Sequence, residues 1–320
     1  MNAQSPKVGI ALLNWNQYDD TALCLESLRE SKFRPAIILV YDNGSTDGSA
    51  ERLKANFPEI QLVVGGQNFG FSEGNNRAVQ NLLEAGMDLV WVLNNDTKVS
   101  PDCLGWLVHS LDEQPEVGAV SGKIWFMEET RPLCYAGGIF NRWNFNTTFL
   151  GFREPDSGQY DIGGDTTIFS GCCMLIRAEV IRKIGLFNRG FFAYAEDIDW
   201  SLRAQASGIR LYYEPRATLW HKMFGSTVKT KGGAKKSSEF VEFLSARNRF
   251  LLVRLHTRPW NVRRCFALSW HLWVRGIPRA IGLMLLPSRR AVGWARLKGL
   301  WAGLWMHPDP ANCMLNSPAS

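Results

Sequence analysis

The first third of the chain alternates short, continuous apolar runs with segments whose apolar residues recur at helical spacing. The apolar runs predict strands at residues 8–13, 36–41, 61–64 and 88–93, and the segments between them predict helices at 20–31, 49–56 and 72–85. Continuous apolar strands that alternate with helices predict a parallel sheet covered on both faces. Ligands of such sheets bind at the carboxyl ends of the strands.

Polar or glycine-rich residues follow each of the four predicted strands. They occupy positions 14–16, 42–48, 65–70 and 94–96. One polar loop is ordinary, but four at the same edge of a sheet favour a ligand site over a set of solvated loops.

The second half is less regular. Residues 125–170, which include Gly137 and Gly138 and several aromatic residues, indicate strands and loops that shape a cleft. A buried strand is predicted at 172–176 and another strand at 209–213, with helices at 178–184 and 196–206 between them.

Composition and charge narrow the class of protein. The 320 residues are 46% hydrophobic, which is enough for a sizeable core. The net charge of +6 is uneven, because twelve Lys and Arg but a single acid, Asp309, lie from residue 243 onward. An acidic body with a basic tail predicts an anionic partner for the tail.

The seven cysteines are scattered and form no CxxC pair, so we expect reduced thiols and not a disulfide framework. The first residues lack the basic and apolar pattern of a signal peptide. We find no uncharged apolar stretch of about 18 residues, so no transmembrane helix is predicted.

Three runs in the first third carry a resemblance: YDNGSTDGS from residue 41, NFGFSEGNN from residue 68 and WVLNNDTKVSP from residue 91. With the block at 171–222, they resemble glycosyltransferase family 2, and most closely its rhamnosyltransferase-like members. The resemblance covers about residues 7–225. It implies an α/β protein of the GT-A type, with a mostly parallel nucleotide-binding sheet flanked by helices. We expect a catalytic domain at 1–240, with a nucleotide-binding half at about 7–100 and an acceptor half at about 101–240.

The resemblance implies a divalent cation, Mn²⁺ or Mg²⁺, that neutralises the leaving diphosphate. The family's acidic motif after the fourth strand reads Asn94-Asn95-Asp96 here, so Asp96 is the expected metal ligand. The alternative is that Asp96 caps a turn before Thr97. His221 is a second candidate ligand, although a lone histidine is often structural.

The resemblance implies that Asp42 accepts a hydrogen bond from a pyrimidine base. Its alternative role is to cap the turn after the second strand. The other expected nucleotide contacts are Asn14 and Asn16 at the first strand end, Asn68 and Gly70 at the start of a helix, and Asn94 and Asn95.

The run AEDIDW supplies three neighbouring carboxylates, of which at least one gains proton affinity from the others. The resemblance assigns the catalytic base of an inverting transfer to Asp197. Glu196 is expected to orient the acceptor or cap the helix, and Asp199 to pair with Arg203 one turn later. We expect Trp200, Phe191 and Phe192 in the core and not as platforms for a sugar ring.

The segment 241–320 mixes arginine with Trp260, Trp270, Trp273, Trp294, Trp301 and Trp305. Basic and apolar residues interleaved at helical spacing predict amphipathic helices on an anionic membrane surface. A solvated helical cap is the alternative, and a nucleic-acid-binding face is disfavoured because bulky aliphatic residues separate the basic ones.

Together these features predict an inverting glycosyltransferase at the cytoplasmic face of the cell membrane. It would transfer a sugar, with L-rhamnose from dTDP-L-rhamnose favoured, to a lipid-linked saccharide in cell-surface polysaccharide synthesis. One alternative is a nucleotide-sugar-binding module that has lost its chemistry. Another is a nucleotidyltransferase, which the absence of a basic loop after the first strand disfavours.

Overall fold

The computed structural model describes residues 5–222, 234–259, 261–307 and 309, with the side chains of 234–238 omitted. Its strands are β1 Val8–Asn14, β2 Ile37–Asp42, β3 Gln61–Val64, β4 Leu89–Asn94, β5 Thr97–Val99, β6 Val117–Phe126, β7 Leu133–Tyr135, β8 Gly138–Phe140, β9 Thr147–Phe149, β10 Gly164–Asp165, β11 Cys173–Arg177 and β12 Arg210–His221. Its α-helices are α1 Tyr18–Arg29, α2 Ser49–Asn56, α3 Gly70–Glu84, α4 Cys103–Glu113, α5 Ala178–Ile184, α6 Glu196–Ala206, α7 Ala234–Leu255, α8 Val262–Ser269, α9 Ile277–Leu285 and α10 Arg290–Trp305.

A central sheet in the described part of the chain has the order β10-β12-β6-β11-β4-β1-β2-β3, with β5 on β12 and β7 on β6. Strands β4, β1, β2 and β3 are parallel to their neighbours within this group, as predicted. Strand β11 is antiparallel to both β4 and β6, so the half of the sheet beyond it is mixed. The parallel group brings the carboxyl ends of β1, β2 and β4 to one edge.

Strand β12 is longer than the predicted strand at 209–213. It continues to His221 and stays parallel to β6, with a register shift between Glu214 and Thr218. Because of this bulge the strand bends and still reaches β5, where His221 pairs with Thr97. The extension carries His221 to the edge at which β4 ends.

The predicted irregular region forms the hairpin of β8 and β9 and the short strands β7 and β10. Tyr135 of β7 packs edge-on against Phe149 of β9, with ring centroids 5.2 Å apart. The loop of the hairpin also contacts α6, where Arg142 Nη2 donates to Gln205 Oε1 over 3.2 Å.

Helices α7 to α10, which hold most of the predicted basic segment, pack on the α/β body formed by residues 5–222. Leu251 and Val253 of α7 share a buried cluster with Phe191, Ile198 and Leu202. Helix α10 lies close to α7, since a Cβ on its Gly299 would lie 2.2 Å from the Phe243 carbonyl oxygen. No helix in the described residues is long and apolar enough to cross a membrane. Trp260 lies outside the described residues.

The six cysteines in the described ranges are free thiols, and five of them are buried. This agrees with the expectation of scattered reduced thiols. Cys313 lies outside the described residues.

Candidate active site

Side-chain hydrogen bonds join the carboxyl ends of β1 and β2. Asn14 and Asp42 are in register, and Asn14 Nδ2 donates to Asp42 Oδ2 over 2.6 Å. The other carboxylate oxygen of Asp42 accepts from the Ser45 backbone N–H over 2.8 Å. Both Asn14 and Asp42 are fully buried. Asp42 therefore caps the turn after β2, and its contact with a nucleotide base, like that of Asn14, stays a prediction.

Asn16 braces the same turn from the other side. Its side-chain oxygen accepts from the Thr46 N–H over 2.7 Å, and its own N–H donates to the Ser45 hydroxyl over 2.8 Å. The residue has a φ of 52°, a left-handed conformation that asparagine adopts more readily than most residues. The loops after β1 and β2 thus form one unit.

Asn68 and Gly70 begin α3 at the same edge. Asn68 Oδ1 accepts from the Gly70 N–H over 2.8 Å and from Asn43 Nδ2 over 3.0 Å. Gly70 has a φ of +84°, and a Cβ there would lie 2.6 Å from the Phe192 ring. Glycine is therefore required where the start of α3 meets the segment before α6. The N-terminus of α3 faces the crevice edge, and its contact with a ribose or phosphate stays a prediction.

Asp96 and His221 meet where β4 and β12 end. His221 Nε2 lies 3.0 Å from Asp96 Oδ1 and 3.3 Å from Asn94 Nδ2. Burial disfavours the charged imidazole, but the Asp96 carboxylate, with Cys134, outweighs it and raises the pKa of His221 to about 10. The two predicted metal ligands, far apart in the sequence, are thus adjacent in the fold.

The donor set at this position fits Mn²⁺ or Mg²⁺. It consists of the Asp96 carboxylate, the His221 imidazole and the Asn94 amide, whose oxygen faces the site when the amide group is rotated by half a turn. In the described part of the chain, no group of three His, Cys, Asp or Glu side chains is close enough to enclose a metal. A cation held by Asp96 and His221 would need its other ligands from a nucleotide diphosphate and water.

Asn95 points away from this pair. Its Nδ2 donates to the Thr21 hydroxyl over 2.8 Å and lies 3.5 Å from Gln17 Oε1. In this conformation Asn95 attaches the loop after β4 to α1, and its predicted nucleotide contact stays a prediction.

Glu196 and Asp197 are the first residues of α6. The Asp197 carboxylate accepts from the Gly171 N–H and from the Ile198 N–H, each over 2.8 Å. Burial raises the pKa of Asp197 above its ordinary value, although these N–H groups and the nearby Arg249 act against the shift. Burial and the Asp197 charge raise the pKa of Glu196 well above its ordinary value. A fixed carboxylate with raised proton affinity suits a general base.

The segment that leads into α6 has an unusual backbone. Phe192, Tyr194 and Ala195 have φ values of 64°, 70° and 73°, where side chains other than glycine are strained. Asn248 of α7 lies beneath them, with its Nδ2 at 3.0, 2.7 and 2.7 Å from three carbonyl oxygens of this segment. The amide thereby fixes the approach to Glu196.

A cavity of about 280 Å³ opens between α6, α7 and the β8–β9 hairpin. Phe149 lines it from β9, Glu196 and Asp197 from α6, and Ser245 and Arg249 from α7. Its position beside the two carboxylates makes it the candidate acceptor cleft.

The sequence analysis missed Asn248 and Arg249, because it assigned all of 241–320 to membrane attachment. The signal was present in the polar run 247–249, which stands between apolar residues that α7 buries. Polar residues on the buried side of a helix need partners, so such a run indicates a contact with another part of the fold.

The predictions for Asp199, Trp200 and Phe191 are confirmed. Asp199 Oδ2 lies 2.9 Å from Arg203 Nε, the expected pair along α6, and Trp200 and Phe191 are fully buried in the core. The prediction for Phe192 is wrong, because its side chain is only partly buried. A contact that was not predicted joins His256, directly after α7, to the other Asp199 oxygen over 2.8 Å.

The sequence matches the family described as "Glycosyltransferase like family 2" over residues 6–249. A similar protein is the N-acetylglucosaminyl-diphospho-decaprenol L-rhamnosyltransferase of Mycobacterium tuberculosis H37Rv, 26% identical over 78% of this chain and 87% of that protein. The dTDP-rhamnosyl transferase RfbF of Shigella flexneri is 23% identical over 72% of this chain and 75% of its own length. The rhamnosyltransferase WbbL of Escherichia coli K12 is 30% identical over 50% of this chain and 63% of its own length.

Two solved structures share the fold. The mannosyltransferase PcManGT of Pyrobaculum calidifontis, in complex with GDP-Man and Mn²⁺, has a TM-score of 0.56 and 16% identity over 95% of this chain and 88% of its own. GalNAc-T7 with UDP, GalNAc and Mn²⁺ has a TM-score of 0.59 and 14% identity over 85% of this chain and 56% of its own. The family match covers the sheet, the paired Asp96 and His221 and the carboxylates of α6. The chain therefore belongs to glycosyltransferase family 2 and is a glycosyltransferase with a GT-A fold.

Proposed function

We propose that this glycosyltransferase moves L-rhamnose from dTDP-L-rhamnose to a hydroxyl of a lipid-linked saccharide during cell-surface polysaccharide synthesis. Three of the similar proteins carry rhamnosyl transfer in their names. The name of the Shigella protein states a dTDP-linked donor, and that of the mycobacterial protein states a diphospho-decaprenol acceptor. These names support the donor and the acceptor class.

The observation that carries the proposal is the meeting of Asp96 and His221, 3.0 Å apart, at the sheet edge where ligands bind. Asp96, His221 and the Asn94 amide would hold a divalent cation. A bound cation supplies positive charge to the diphosphate as it leaves. The loops braced by Asn14, Asn16 and Asp42, and the start of α3 at Asn68 and Gly70, lie along the same edge for the nucleotide.

Asp197 is the proposed base. The acceptor hydroxyl gives its proton to the Asp197 carboxylate while its oxygen forms a bond to the anomeric carbon of the donor sugar. The bond from that carbon to the diphosphate oxygen breaks on the opposite face, so the configuration inverts. The Gly171 and Ile198 N–H groups fix the carboxylate orientation, and Glu196 is placed to bind a second acceptor hydroxyl.

The tail supports attachment to the cytoplasmic face of an anionic membrane. Large apolar side chains of α9, α10 and the π-helix Trp270–Gly276 that precedes α9 are exposed by half or more: Trp273, Val274, Ile281, Leu285, Trp294, Trp301 and Trp305. Exposed apolar surface of this extent marks an interaction site, and its basic neighbours favour anionic lipid. A lipid-linked acceptor would reach the cleft from this side.

A transfer assay tests the proposal. Purified full-length protein with Mn²⁺ is given dTDP-L-rhamnose, UDP-N-acetylglucosamine or GDP-mannose, with N-acetylglucosaminyl diphosphoryl farnesol as the acceptor probe. We expect a glycosylated product only with dTDP-L-rhamnose. NMR of the product should show that the anomeric configuration of the rhamnose is inverted relative to the donor. Asp197→Asn should lower turnover by about 10²- to 10⁴-fold, the usual share of a general base. Asp165→Asn, at an exposed surface ion pair, is the matched control and should keep wild-type turnover.

Transfer from another donor would contradict the rhamnose assignment. Wild-type turnover by Asp197→Asn would contradict the assignment of the base. Binding of nucleotide sugar without transfer to any acceptor would favour a module that has lost its chemistry.

A further inference from the structure

Arg249 of α7 faces the cleft with an unpaired charge. Its Nη1 donates to the Phe145 carbonyl oxygen over 3.2 Å, which leaves most of the five guanidinium donors without an acceptor in the described part of the chain. All Asp and Glu residues of the sequence lie in the described ranges. Among the ion pairs of those ranges, none involves Arg249, although Asp197 lines the same cavity.

The surroundings of Arg249 add positive charge. Burial and the nearby Arg275 and Arg296 lower the pKa of Arg249. Arg296 is paired with Glu242 at 2.6 Å, whereas Arg275 donates to the neutral Asn146 side chain at 2.7 Å. Within the described residues, neither Arg249 nor Arg275 forms an ion pair with a carboxylate, although the Asp197 charge acts on Arg249 at longer range.

A buried imidazole lies in the same neighbourhood. His271 is 4% exposed, and its Nε2 has no hydrogen-bond partner among the described residues. Burial, Arg249 and Arg275 lower the pKa of His271 to about 3, so the ring is neutral at physiological pH. A partly buried cationic cluster costs free energy unless an anion compensates it.

We propose that Arg249, assisted by Arg275, binds a phosphate group of the acceptor. The guanidinium plane matches the phosphate oxygens with two parallel hydrogen bonds. Asp197 and Arg249 line one cavity of about 280 Å³, so the attacking hydroxyl and the phosphate are close together on the acceptor. This arrangement fits a sugar diphosphate in which one ring separates the hydroxyl from the first phosphate. This site rests on the proposed function, since Asp197 must face the attacking hydroxyl.

The donor is a second source of diphosphate, and the geometry favours the acceptor. The donor diphosphate is expected at Asp96, in the turn after β4, and at His221, the last residue of β12. The cavity that Arg249 lines contains neither residue. It lies instead between α6, α7 and the β8–β9 hairpin, on the side of the exposed tail helices.

Calorimetry of the full-length protein with farnesyl diphosphate and with farnesol, each at saturating dTDP and Mn²⁺, tests the site. In the presence of dTDP, we expect the wild-type protein to bind farnesyl diphosphate more tightly than farnesol. Arg249→Gln should weaken farnesyl diphosphate binding by about tenfold, since a hydrogen bond to a charged group contributes about 1.4 kcal/mol or more. Arg249→Lys keeps the charge and should lose less. Arg258→Gln, at an exposed position on the same tail, is the matched control and should bind as wild type.

Equal affinity of wild type and Arg249→Gln for farnesyl diphosphate would overturn the proposal. A second result would also overturn it: dTDP displaces farnesyl diphosphate, and Arg249→Gln binds dTDP more weakly than wild type does. In that case the Arg249 guanidinium binds the donor diphosphate. The dTDP titration is read separately. A wild-type protein that fails to bind dTDP contradicts the proposed function, while its response to farnesyl diphosphate still decides the role of Arg249.

Discussion

Carboxylates of similar chemistry occupy different surroundings in this site, and the surroundings decide what each can do. Asp42 is fully buried and caps the turn after β2. Asp96 lies beside an imidazole at a strand end. Asp197 is held by two backbone N–H groups and faces a cavity. Asp197 combines a fixed orientation with a raised pKa and a place on the wall of the cavity.

The pH dependence of transfer should report Asp197. Because its pKa is raised and a base must be ionised, kcat/KM should fall on the acid side at a pH above the ordinary aspartate pKa of about 3.9. Arg249 lowers the pKa of Asp197, so Arg249→Gln should move the acid limb to higher pH. The pH dependence of kcat/KM is measured with a neutral glycoside as acceptor, so that the proposed contact of Arg249 with an acceptor phosphate plays no part. The control Arg258→Gln should leave the acid limb at the wild-type pH. An unmoved limb in Arg249→Gln would contradict the electrostatic coupling.

At the scale of elements, the parallel half of the sheet could be predicted because β1, β2 and β4 are continuous apolar runs. Strand β12 was predicted to end at residue 213, because Glu214 and Arg216 interrupt its apolar pattern and the bulge there has no simple sequence signal. Helix α6 could be predicted, with both carboxylates on it. The contact between Asn248 of α7 and the segment before α6 could not be predicted. It joins parts of the chain that are far apart in the sequence, and such contacts leave no local sequence pattern.

Asn248→Ala should weaken the contact between α7 and the segment before α6. It removes the amide from three carbonyl oxygens, and buried groups without partners cost about 1–3 kcal/mol. We expect a lower free energy of unfolding and a lower kcat, with dTDP affinity unchanged, as measured by denaturant titration, kinetics and calorimetry. Asn56→Ala, at an exposed position, serves as the control. Unchanged kcat in a destabilised Asn248→Ala would mean that the amide has no part in placing the carboxylates.

Asp199 links α6 to α7 and should make stability depend on pH. Burial acts to raise the pKa of Asp199, but Arg203 and His256 outweigh it and hold the pKa below its ordinary value. A carboxylate whose pKa is lower in the folded than in the unfolded protein stabilises the fold at pH values above its pKa in the unfolded chain, about 3.9. This stabilisation is lost as the pH falls through the pKa of the folded state. Asp199→Asn should cost about 3 kcal/mol at pH 7, and the difference from wild type should shrink below about pH 4. Denaturant titrations at both pH values measure it, and a constant difference would contradict this role.

At the scale of the whole molecule, the catalytic body is net acidic and the tail is basic. Helix α7 belongs to both, because it buries Leu251 and Val253 against α6 and the segment before it and also supports α10. The candidate acceptor cleft opens beside this helix. Membrane attachment through the outer tail helices and access of a lipid-linked acceptor would therefore occur on the same side of the protein.

Flotation with vesicles that contain anionic phospholipid should recover the full-length protein, and recovery should fall as salt rises, because each basic residue near the surface contributes about 1 kcal/mol. Replacement of Trp294, Trp301 and Trp305 by serine should reduce flotation, since these side chains are 57%, 66% and 67% exposed. Ile162→Ser, at an 89% exposed side chain outside the tail, should float as wild type. No flotation of the wild-type chain, or equal flotation of the tryptophan variant, would favour a solvated helical cap.

Calorimetry of dTDP, UDP and GDP binding, each with and without Mn²⁺, decides whether this protein is a metal-dependent transferase that uses a nucleotide sugar. We expect dTDP to bind most tightly, Mn²⁺ to strengthen its binding, and Asp96→Ala and His221→Ala each to abolish the Mn²⁺ effect. Asp165→Asn, with an exposed carboxylate on β10, should retain it. A metal-dependent site at Asp96 is wrong if nucleotide affinity is the same with and without Mn²⁺ and in Asp96→Ala, or if none of the three nucleotides binds.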